Sequence, residues 1–88
     1  MGLMHLGRAR LAMALPRHRE QLRNTKDQAL YDLFEEYAHA ARSVDMLMRE
    51  IPRREDLLTE RQQACLDLQA KVLALLVRIE EQKSHADG

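Results

Sequence analysis

Seven apolar residues, Leu30, Leu33, Tyr37, Ala40, Val44, Leu47 and Ile51, follow one another at alternating three- and four-residue steps. Such steps line up along one side of a 3.6-residue turn, so this segment is constrained to a helix that presses one face on another helix. The pattern resumes beyond Pro52 in Leu58, Cys65, Leu68, Val72, Leu75 and Ile79. Two long helices folded about one break are predicted, packed in the manner of a coiled coil. With one Phe, two Tyr and no Trp, the core must be built from Leu, Ala, Met, Ile and Val. That supply suits helix packing, whereas a sheet would draw on β-branched and aromatic residues alternating with polar ones. The predicted class is all-α.

Pro16 suits the first turn of a helix, and nothing from Arg17 to Glu50 is Gly or Pro. A first long helix over roughly 17–50 is predicted. Thr25 and Gln28 offer an alternative start with the spacing of a capping box. Leu15, Leu22 and Ala29 repeat every seven residues through that point and favour a continuous helix. Pro52 lacks a backbone donor and drives Ile51 out of helical geometry. A second helix over roughly 54–83 follows, with Glu55 and Asp56 complementing its positive N-terminus. Residues 16–83 thus read as an antiparallel helical hairpin. Residues 1–15 form a basic amphipathic arm or short helix before it, and 84–88 a disordered tail. A chain of 88 residues hides only roughly 64% of its unfolded surface, so assembly into a helical bundle, as a homodimer or higher homo-oligomer, is expected.

The formal net charge of zero is unevenly assembled. Residues 1–26 hold six Arg or Lys against Glu20, while residues 27–50 hold six acids against Arg42 and Arg49. This asymmetry favours the arm lying on the acidic helix of its own or a neighbouring chain. Met1 to Leu15 has the composition of a presequence or a membrane-surface helix, but it lacks Ser, and His5, Gly7, Arg8 and Arg10 interrupt its apolar residues. The longest apolar run, Val72 to Val77, has six residues, far short of the about 20 needed for a membrane span. Cys65 stands alone at an apolar position and reads as a small hydrophobe in a reducing compartment, the cytoplasm.

The second helix also carries Leu66, Ala70, Leu73 and Val77 at four-, three- and four-residue steps, a second stripe on its other side. A helix apolar on two sides is normally sandwiched. These four residues are the candidate partner interface, covered by the N-terminal arm, another copy or a helix of a different protein.

Groups that could carry chemistry are sparse. Glu36 and His39 have the E-x-x-H spacing of metal-bearing bundles, but they flank the heptad seam, and the second helix offers no inward carboxylates to complete a site. His5 and His85 have no companions at ligand spacing, so no zinc site is assigned. No phosphate loop, nucleophile elbow or inward carboxylate pair occurs, and neither a catalytic residue nor a cofactor is assigned. Arg8, Arg10, Arg17, Arg19, Arg23 and Lys26 form a basic stretch without an aromatic residue for stacking on bases.

The string from His18 to Thr25 resembles the phospho-acceptor box of histidine-kinase dimerisation domains, which are themselves helical hairpins pairing into four-helix bundles. The resemblance is out of register: Arg19 stands where that family has an acid, and Leu22 lies four residues on from His18. It implies a phosphotransfer role for His18. The residues themselves favour a non-enzymatic protein–protein interaction module of the adaptor, co-chaperone or small regulatory kind. A nucleic-acid-binding regulator using the basic arm is the alternative, followed by a phosphotransfer or metal-bearing bundle.

Overall fold

Asp27 decides where the main helix begins. Its side-chain carboxylate accepts from the Leu30 N–H at 3.2 Å, satisfying one of the donors that every helix start leaves open. Thr25 just before it is extended (φ −72°, ψ 146°), so the chain breaks instead of running on from Leu22. The structure, a computed structural model, describes residues 2–87, with side chains through residue 82. In chain order it forms α1 (Leu3–Ala14), a 3-10 turn (Pro16–His18), α2 (Arg19–Asn24), α3 (Gln28–Met48) and α4 (Glu55–Asp87).

The all-α hairpin is α3 and α4, but its first arm is shorter than the roughly 17–50 predicted. The seven-residue repeat of Leu15, Leu22 and Ala29 stands one position before the Leu30, Tyr37 and Val44 row and does not continue it: Leu22 is fully buried on its own short helix, while Ala29 is exposed. The Thr25–Gln28 capping box does not form either. Gln28 donates forward to Asp32 at 3.0 Å, and the Thr25 carbonyl receives the Tyr31 hydroxyl at 3.3 Å and Arg8 at 3.4 Å. These donors satisfy an acceptor that the break sets free. At the other end Glu50, Ile51 and Pro52 stop α3, and α4 starts at Glu55 as expected. Ile51 drops out of the seam at 97% exposure because α3 ends at Met48, before that position can be brought round. The helical backbone of α4 continues through Asp87, across most of the tail expected at 84–88; Gly88 lies outside the described residues.

α3 is the central helix, packed by α1 on one side and by α4 on the other. Toward α4 it uses the predicted seam. Tyr37 and Leu47 are buried, with Leu33, Ala40 and Val44 half-buried. Gln69 of α4 donates to the Tyr37 hydroxyl at 2.9 Å, fixing the antiparallel register near mid-hairpin. Toward α1, α3 turns a second apolar row of Phe34, Ala38 and Ala41, all buried. The arm therefore lies on the acidic helix, and Arg10 meets Asp45 at 2.6 Å. Leu11, Leu22, Leu30, Phe34, Val72 and Leu76 are each nearly or wholly removed from solvent and anchor one continuous core.

Gly7 sets how close α1 comes. A side-chain carbon built there would stand 1.7 Å from the Phe34 carbonyl oxygen. Only glycine lets the two backbones approach so far. Next to it, the Arg8 guanidinium lies 5.5 Å from the ring centres of both Tyr31 and Phe34, a cation held over two aromatic faces.

Candidate docking face

The outer side of α4 follows from where its inner side points. Leu58, Leu68, Val72 and Leu76 are buried, with Cys65, Leu75 and Ile79 half-buried beside them. At about 100° per residue, Leu66, Ala70, Leu73 and Val77 fall on a line roughly 140° around the helix from that face. They cannot share its cover. Leu66 is 55% exposed and Val77 54% exposed, Ala70 is exposed, and Leu73 is half-buried. The row is thus largely uncovered, with Leu73 half-buried within the chain itself. α1, a candidate cover, lies against α3 instead.

Charge frames the row. Asp67, Lys71 and Arg78 run along one edge of it, all exposed. The Asp67 carboxylate accepts from Gln63 at 3.0 Å within the helix. Toward the C-terminal end Glu80 accepts from Gln21 of α2 at 3.1 Å, so that end of the row is braced against the body of the molecule.

The other groups with chemical potential sit apart. Glu36 and His39 are both exposed on α3, and among the described residues no three of His, Cys, Asp or Glu gather closely enough to hold a metal ion. His18 is half-buried, with its ring Nδ1 3.2 Å from Gln21 Oε1. Burial pushes the Cys65 thiol up, with Arg10 pulling it down and Asp45 raising it further, so the thiolate that a nucleophile requires is disfavoured. The Arg54 side chain grips Glu50 across the turn through two bonds of 2.9 and 2.6 Å and lowers its carboxyl below the usual range. That pair fastens the connection between α3 and α4.

The basic stretch divides in two. Arg8 is engaged by two aromatic rings and the Thr25 carbonyl and the half-exposed Arg10 by Asp45, whereas Arg17, Arg19, Arg23 and Lys26 remain exposed around α2. On the far side of α3 from α4, an open groove of about 690 Å³ lies along α1, bounded among others by Leu6, Arg42, Met46 and Arg49. No helix among the described residues is long and apolar enough to cross a membrane.

Sequence reasoning missed the Phe34 row. Its signal was present: Phe34, Ala38 and Ala41 recur at four- and three-residue steps beside the seam. Comparison with family models, curated proteins and solved structures gives no match to this chain.

Proposed function

We propose that this protein is a non-enzymatic helical interaction module that works through the outer face of α4, in a reducing compartment such as the cytoplasm. The observation that carries the reading is the uncovered row of Leu66, Ala70, Leu73 and Val77 on a helix whose opposite side is already buried. Covering a Leu or Val contributes roughly 1.5–3 kcal/mol each, so a row of this kind drives association with an apolar helix face. Self-association into a homodimer or higher oligomer and capture of another protein's helix use the same surface. An adaptor, co-chaperone or small regulatory subunit needs no other equipment.

Two neighbouring residues separate docking from folding. Leu73→Asp places a charge on the outer face and is expected to lower the mass measured by light scattering, or abolish capture of a partner helix, while the helical circular dichroism persists. Leu75→Asp places it against the core and is expected to melt the hairpin itself. Equal effects of both variants on folding would contradict the reading.

A second reading has its own observation. Arg17, Arg19, Arg23 and Lys26 are exposed together at one end of the molecule and could neutralise phosphates of a nucleic acid. Binding that falls steeply with added salt would support it, since each neutralised phosphate releases a counterion. Phosphotransfer through His18 is third, and a phosphoramidate assay tests it.

A further inference from the structure

We infer that the occupant of the outer α4 face is a second copy of this chain, its α4 running antiparallel to the first about a two-fold axis. The inference rests on the reading of that face as a docking surface and names its partner. The 33 residues of α4 are centred on residue 71. The apolar row is centred between Ala70 and Leu73. A two-fold axis through the middle of the row therefore also bisects the helix, and two copies overlap along nearly the whole of its about 50 Å length.

The apolar side chains match layer by layer in that arrangement. Leu66 stacks on the partner's Val77, and Ala70 faces the partner's Leu73, small against large at the centre where the backbones come closest. One layer further out, Gln63 falls opposite the partner's Glu80, an amide donor facing a carboxylate. Along the edge, Asp67 and the partner's Arg78 are offset by only about 3 Å along the axis, within the reach of a guanidinium. The two-fold axis makes each of these pairs twice. Parallel pairing in register loses these pairs: its two-fold axis runs along the helices and sends Asp67 and Arg78 to opposite edges of the interface, while Glu80, which continues the spacing of the row, meets the partner's Glu80, and like charges there repel. The Asp67–Arg78 and Gln63–Glu80 pairs form only when the helices run in opposite directions; the two Lys71 side chains, offset from each other by about 1.5 Å along the helices, are exposed and extend into solvent.

The test uses the full chain in two ways. For orientation, Leu66→Cys and Val77→Cys are made separately in a Cys65→Ala background, so that each chain has one thiol, and oxidised alone or mixed. Antiparallel pairing predicts a disulfide-linked dimer in the mixture and little in either variant alone, because like positions stand about 16 Å apart. Ready cross-linking of each variant alone would establish parallel pairing and overturn the proposal. For the edge pairs, Asp67→Arg and Arg78→Asp are each expected to weaken dimerisation about tenfold, and the double variant to restore it. Failure of the double variant to recover would overturn the register. A wild-type chain that stays monomeric at millimolar concentration would overturn self-pairing while leaving the docking face to a foreign helix. A wild-type dimer indifferent to Leu73→Asp would overturn both.

Discussion

A single missing carbon decides whether α1 can dock. Gly7 admits the Phe34 carbonyl where any side chain would collide with backbone, which cannot swing aside as a flexible side chain can. Gly7→Ala is therefore expected to lower stability by about 3 kcal/mol in chemical denaturation. The helix-propensity gain of about 1 kcal/mol does not offset so close a clash. A neutral or stabilised variant would mean that α1 does not sit where the structure places it. This contact was not legible in the sequence. A lone glycine in a weakly patterned segment reads as an interruption, because propensity counts the entropy of Gly and nothing local records the backbone that will press on it. Arg8 and Arg10 were legible in part: the charge asymmetry placed the arm on the acidic helix, where Arg10 meets Asp45, but nothing local to Arg8 showed that the aromatic pair Tyr31 and Phe34 would take it up. The four outer residues of α4 could be picked out as one row because they follow one helical period without interruption.

Boundaries between elements were less visible than the elements themselves. The helical periodicity of α3 and α4 spans many turns and overrides local noise, and Pro52 punctuates it. The break at 25–27 has neither Gly nor Pro and is made by one carboxylate choosing a backbone donor. Asp27→Ala is accordingly expected to cost about 1 kcal/mol, the usual loss of a side-chain cap, with the first turn of α3 exchanging its amide hydrogens faster. Unchanged exchange at Leu30 would show that the cap contributes nothing. Relocating the break also reassigns the partners. If residues 17–50 were one straight helix, α1 and α2 could not fold back on α3, and the Phe34 row would be left bare. With the break in place, Leu11 and Leu22 complete the core around α3, and it is α4 that keeps an unpartnered side.

At the scale of the whole molecule, the 57 × 26 × 20 Å body is a hairpin with one flank closed by α1 and the other open along α4. All-α architecture and the hairpin followed from the spacing of apolar residues, while the position of the arm depended on contacts between residues far apart in the chain. The account's central claim is that the open flank is covered when the protein assembles. Hydroxyl-radical footprinting read by mass spectrometry addresses it residue by residue, with Met13, 80% exposed on α1, as an internal reference for a side chain that stays in water. As the purified chain is concentrated into the range where its mass doubles, labelling of Leu66, Leu73 and Val77 is expected to fall severalfold relative to Met13. Labelling of those three that tracks Met13 at every concentration would show that the outer face of α4 stays in water and would contradict the account.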